Sequence, residues 1–198
     1  MAISVDDIKK LKELTGVGLT DAKVALVEAD GDFDKALEAM RKKGLTKAEK
    51  KADREALEGV IDSYVHGGRI GVLVEVNCET DFVARTEGFI EFAHQIALQV
   101  ASMSPIYVSE DEIPAEEVER VRSEALASDS LKSKPAEMAE KIVEGQVKKH
   151  FADKVLLNQA YIMDDSKTIG QFLKENVAKT GENIVIRRFK RIELGVND

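Results

Sequence analysis

The run from Arg69 to Cys78 places Ile70, Val72, Val74, Val76 and Cys78 at alternate positions. A period of two sustained over this length specifies a strand with one buried face and excludes a helical stripe. Val60 to Val65 reads as a strand before it, and Gly67-Gly68 between the two supplies the positive φ values of a two-residue hairpin turn. Downstream, Phe89, Phe92, Ala93, Ile96, Ala97, Val100 and Ala101 line one helical face, which predicts a core helix lying across the sheet. Any fold for this chain must turn sharply from strand to helix between these two patterns.

That turn is Asn77-Cys78-Glu79-Thr80-Asp81-Phe82-Val83-Ala84, with the helical pattern starting near Val83. Asp81 suits the cap of the new helix, because a carboxylate there accepts first-turn amides and favours the positive end of the helix dipole. Phe82 follows in the first turn. Two readings stay open on spacing alone: an ordinary capped helix start with a buried Phe, or an acid and a ring presented side by side at a rigid corner. Cys78 ends the buried row, so it reads as an inert core thiol. As the one cysteine it excludes an intramolecular disulfide framework and a Cys-based zinc cluster. His66, His94 and His150 are too scattered for a metal site or a triad, and His94, beside the helical stripe, reads as a hydrogen-bonded structural residue. No glycine-rich phosphate loop is present, and no cofactor or direct nucleotide binding is expected.

Before the sheet, three short amphipathic helices are predicted. Ser4 caps the first, with Ile8, Leu11 and Leu14 on its apolar side before Thr15-Gly16 ends it. The second runs from about Thr20 to Ala29, with Ala22, Ala25, Leu26 and Ala29 inward; the third carries Phe33, Ala36, Leu37 and Met40 and stops at Gly44. Gly16-Val17-Gly18-Leu19 is a tight loop whose apolar tips are either buried or free for contact. The Thr20 hydroxyl is a candidate cap for the second helix. Thr46-Lys47-Ala48-Glu49 has the capping-box pattern, so the Lys-rich segment from Lys43 to Arg54 reads as an exposed linker helix.

After the core helix, Pro114 opens a helix with a seam of Val118, Val121 and Ala125. A polar connection from Asp129 to Lys134 follows, and Pro135 opens another helix with Ala139, Ile142, Val143, Val147 and Phe151. The pair reads as an antiparallel helical hairpin. Thr168-Ile169-Gly170-Gln171 is a capping box for a helix ended by Gly181, and Asn183 to Leu194 is a third strand. Its alternation breaks at Arg187-Arg188, which predicts a bulge or an exposed edge. Phosphate binding by Arg187, Arg188, Lys190 and Arg191 is the minor alternative.

The fold class is α+β: a three-helix module (1–44), a linker helix (45–58), then a core (59–198) with a three-stranded antiparallel sheet packed by helices and a helical hairpin. A net charge of −8 argues against a nucleic-acid binder. The first residues have no basic n-region, and no apolar run is long enough to span a membrane, so the chain reads as cytoplasmic and without a membrane partner.

The segment from Asn77 to Phe89, NCETDFVARTEGF, resembles the signature of the bacterial elongation factor Ts family, in its short form. Leu11 to Lys23, Pro135 to Lys149 and Gly181 to Phe189 also match, in the family's order. The resemblance implies a guanine-nucleotide exchange factor that binds elongation factor Tu in its GDP form and promotes GDP release by disturbing the Mg²⁺ and phosphate site. It is not an enzyme in this reading. Thr80, Asp81, Phe82 and Val83 would form the Mg²⁺-dislocating segment. The N-terminal module, similar to a ubiquitin-associated domain, would add contacts through Leu19 and Thr20, although Thr20 departs from the apolar residue often found there. Longer family members carry the sheet-and-helix unit twice, so a single copy here implies a homodimer. The alternatives are a non-catalytic scaffold whose N-terminal module binds a peptide, and a small hydrolase using Cys78.

Overall fold

The computed structural model describes residues 3–15, 18–128 and 135–196. Helices α1 (Val5–Thr15), α2 (Leu19–Glu28) and α3 (Phe33–Glu49) pack pairwise around Leu11, Ala22, Ala25, Leu26, Ala36 and Met40. Ser4 caps α1, its Oγ accepting the Asp7 amide at 2.9 Å, and Asp32 caps α3 by accepting the Lys35 amide at 3.1 Å. Leu14, expected on the inner side of α1, is exposed; α2 and α3 cover Leu11 and part of Ile8 only. Thr20 does not cap α2 either. The N-cap is Gly18, and the helix has begun by Leu19. The loop residues Gly16 and Val17 lie outside the described residues.

Gly44 does not stop α3, and no separate linker helix begins at Thr46, because α3 runs unbroken to Glu49. Tertiary packing outweighs the low helix propensity of glycine here. The second half of α3 lies against helix α8 (Ile169–Thr180): a Cβ at Gly44 would sit 3.4 Å from that of Ala178, and Ala48 is buried in the main core. Glu49 pairs with Lys174 at 2.8 Å, and Lys51 Nζ donates to the Gly181 carbonyl.

The main sheet has the order β1 (Glu58–His66), β2 (Ile70–Cys78), β5 (Ile184–Glu193), antiparallel throughout. Gly67 and Gly68 take the expected positive φ, 54° and 68°, but His66 pairs with Ile70, so the connection has three residues, Gly67 to Arg69, and not two. The Arg69 amide closes the turn on the His66 carbonyl at 2.9 Å. Val72, Val74, Val76 and Cys78 are buried, facing the core helix α5 (Glu87–Met103), whose predicted stripe is buried in full. In β5, Glu75 opposes Arg188 while Val76 opposes Ile186, so Arg187 is the extra residue of a bulge. Its guanidinium turns back to donate to Asn77 Oδ1 and the Ala56 carbonyl, both at 3.3 Å, and Arg188 pairs with Glu75 at 2.7 Å. These two arginines thus hold the strand edge.

Helices α6 (Ala115–Leu126) and α7 (Ala136–Ala152) form the hairpin over a smaller core of Val121, Phe151 and Val155; the 129–134 connection lies outside the described residues. The capping box at Thr168 and Gln171 is present, with both of its hydrogen bonds. A short ribbon, β3 (Ala160–Tyr161) and β4 (Asp164–Thr168), has no counterpart in the sequence expectation. It is held by the buried Gln99, whose amide donates to the Ala160 carbonyl at 3.0 Å and accepts the Ile162 amide at 3.0 Å. Tyr161 then stacks on Phe172 of α8 at 4.4 Å. Among the described residues, no helix is long and apolar enough to cross a membrane.

Candidate functional site

The strand–helix corner differs from its sequence expectation in two ways. Its helical part is not one helix: a single turn, α4 (Asp81–Ala84), precedes α5, and Thr86 starts α5 afresh by accepting the Phe89 amide at 3.3 Å. The cap of α4 is Thr80, not Asp81. Thr80 stays extended at φ −129°, ψ 152°, and its Oγ1 accepts the Val83 amide at 3.4 Å. Asp81 is instead the first helical residue, where a carboxylate still favours the positive end of the dipole. It pairs with Arg85 at 2.9 Å across an exposed turn, a contact of small energetic weight.

The reason the chain stays extended through Thr80 lies about a hundred residues away. Glu182, in the connection between α8 and β5, accepts the Glu79 amide at 3.1 Å and the Thr80 amide at 3.0 Å through Oε2. Its Oε1 accepts the Thr80 hydroxyl at 2.6 Å. The staple is reciprocated: Glu79 Oε1 accepts the Asn183 amide at 2.6 Å. Asn183 is buried, and its side-chain amide donates to the carbonyls of Ala52 at 3.2 Å and Arg54 at 2.7 Å. From the other side, Asn77 Nδ2 donates to the Glu58 carbonyl at 3.2 Å. Sequence reasoning missed Glu182 and Asn183 as parts of the corner. Glu182 and Asn183 lie inside the last matching block, Gly181 to Phe189, but nothing local ties them to Thr80.

Below the corner, Cys78 is fully buried and its thiol donates to the Thr80 carbonyl at 3.2 Å. Burial, and after it the Glu182 carboxylate, pushes its pKa from 9.0 up to about 11. The thiol is therefore protonated at neutral pH, which removes the hydrolase alternative. His94 is structural too: its Nδ1 meets Asp62 Oδ2 at 2.9 Å and its ring lies edge-on to Tyr64, joining α5 to β1.

On this scaffold Phe82 points out. It is 80% exposed, the highest value for a large apolar side chain among the described residues. Val83 is half-buried against the core and Ala84 is buried, so the turn is anchored on one side and offers its ring on the other. The reading of Phe82 as buried core is overturned. Leu19 is 51% exposed and Thr20 is exposed, both at the start of α2 in the separate N-terminal cluster. The candidate residues therefore form two surfaces, one per cluster.

The corner is thus an exposed ring on a backbone held by hydrogen bonds to a carboxylate, with the architecture of a surface of presentation and a protonated, buried thiol beneath it. The comparisons with known proteins give the family. The sequence model described as elongation factor TS matches residues 44–177. The elongation factor Ts of Thermotoga petrophila is 53% identical over 196 residues, covering 98% of each chain. That of Syntrophomonas wolfei is 50% identical over 194 residues, covering 98% of this chain and 91% of its own, and that of a Geobacter species is 50% identical over 196 residues with the same coverage. The chain belongs to the elongation factor Ts family, the nucleotide exchange factors, not enzymes, that serve elongation factor Tu in translation elongation.

Proposed function

We propose that exchange is driven by the Thr80–Val83 corner, with Phe82 as the wedge and Asp81 as the polar anchor beside it. The physics is linkage: a factor that weakens GDP binding to the GTPase is itself bound more weakly by the GDP form, by the same factor. GDP is held by a phosphate-cradling loop and by Mg²⁺ coordinated through the GTPase. A ring driven between the GTPase elements that carry those ligands shifts them without touching the nucleotide. Because Mg²⁺ requires near-ideal octahedral geometry, a small shift is enough to weaken it. GDP then leaves and GTP binds. The observation that carries this reading is the 80% exposure of Phe82 on a turn whose backbone is stapled from both sides.

Leu19 and Thr20 hold the GTPase from a second side, with residues 1–44 as a binding module, 45–58 as the connection and 59–198 as the core that performs exchange. The active species is a homodimer in the cytoplasm, one GTPase per subunit. Support for the dimer comes from the open face of the sheet. Ile61, Val65, Leu73 and Ile192 are all exposed there, on the side of β1, β2 and β5 that no helix covers among the described residues. These apolar residues are interleaved on that face with Ser63, Lys190 and the Glu75–Arg188 ion pair, a mixed surface on which a two-fold copy finds both apolar and charged partners. The test of the exchange reading is release of labelled GDP from elongation factor Tu. The chain accelerates release, and Phe82→Ala slows it with the fold intact; acceleration by Phe82→Ala equal to the unsubstituted chain overturns the assignment.

A further inference from the structure

Glu182 does more than brace a loop. It follows Gly181, the left-handed C-cap of α8, and precedes β5, so rigid elements deliver its carboxylate to the corner. All three of its acceptor contacts there go to Glu79 and Thr80, the two residues immediately before the turn that bears Phe82. The Thr80 hydroxyl has one proton. Giving it to Glu182 Oε1 leaves the oxygen lone pairs free for the Val83 amide, so a single rotamer serves both bonds. Charge-assisted bonds of this type are the stronger ones. The carboxylate thereby sets the rotamer of the cap, and the cap sets the axis of a one-turn helix too short to hold its own direction.

We propose that Glu182 is the positioning residue of exchange, acting through the Thr80 hydroxyl on the direction in which Phe82 is held. This rests on the reading of Phe82 as the wedge, and the experiment separates the two. Release of labelled GDP from elongation factor Tu is followed at increasing concentrations of the full-length chain. For each variant this yields a maximal rate and a half-saturating concentration, and thermal melting checks the fold. Glu182→Ala lowers the maximal rate about tenfold, while the half-saturating concentration changes less than about threefold. Thr80→Val falls with it, and Thr80→Ser, which keeps the hydroxyl, is faster than Thr80→Val. In the Phe82→Ala background Glu182→Ala causes no further loss, because the ring it would misdirect is gone. A merely structural role predicts instead that the two losses multiply.

Multiplying losses, or an unchanged maximal rate for Glu182→Ala beside a slow Phe82→Ala, overturns the role of Glu182 and leaves Phe82 in place. An unchanged rate for Phe82→Ala overturns the wedge itself. Should Glu182→Ala fail to fold, Glu182→Gln and the Thr80 pair carry the same comparison. The glutamine keeps the size and one acceptor but turns an N–H₂ group toward the donors, so it is expected to be slow as well.

Discussion

Replacing Phe82 by alanine removes a ring that the fold barely uses. A phenylalanine contributes about 200 Å² of surface. At 80% exposure some ~40 Å² of that is buried within the chain, worth no more than ~1 kcal/mol at about 25 cal/mol per Å². Phe82→Ala should therefore melt within a few degrees of the unsubstituted protein. The remaining ~160 Å² is what a partner could cover, with a ceiling of ~4 kcal/mol on the same scale. Association and ordering costs take a share of that. A loss of about 2 kcal/mol, in the range of interface hot spots, is the working expectation. That corresponds to a fall of about thirtyfold in the rate of GDP release at subsaturating concentration. The assay is stopped-flow release of a fluorescent GDP analogue from elongation factor Tu, with circular-dichroism melting on the same preparations. Two results would refute the reasoning: a variant that melts far below the parent, which would mean the ring is structural, or one that releases GDP at the parental rate.

Three further outcomes follow from the same geometry. Gly59 has φ of 148°, and a Cβ there would lie 2.1 Å from the Val76 carbonyl oxygen and 2.7 Å from Asn77 Cα, so Gly59→Ala should cost several kcal/mol, read as a lowered urea midpoint, by forcing β1 off β2 beside the corner. Cys78 should resist iodoacetamide at pH 8 until the chain unfolds. Because its pKa is raised in the fold from 9.0 to about 11, the associated stability is fully present below pH 9 and is lost as the pH climbs through about 11, a decline that the Cys78→Ala variant should lack when the two are melted in parallel. Leu73→Glu, on the open face of the sheet, should leave the core intact and give a monomer by light scattering, whereas a parent chain that is itself monomeric removes the dimer.

Period and cap chemistry made much of this architecture legible in advance. The alternation of β2, the diglycine turn, the stripe of α5 and the capping box of α8 are local patterns, each set by residues within one or two turns of one another. The bulge at Arg187 was legible for the same reason, since adjacent charges cannot both continue an alternating strand. Local signals misled where a distant element decided the outcome. Gly44 looked like a stop until α8 covered it, and Asp81 looked like a cap until Glu182 held Thr80 extended.

The sequence by itself determined the α+β class, the family and the stretch from Thr80 to Val83 as the place to look, because these depend on residue types at short spacing. Only the tertiary structure decided which side chain caps the turn, that the Phe82 ring faces outward, and that Glu182 and Asn183 clamp the corner. Those facts come from groups about a hundred positions apart meeting within hydrogen-bond distance, and no periodicity along the chain encodes such a meeting.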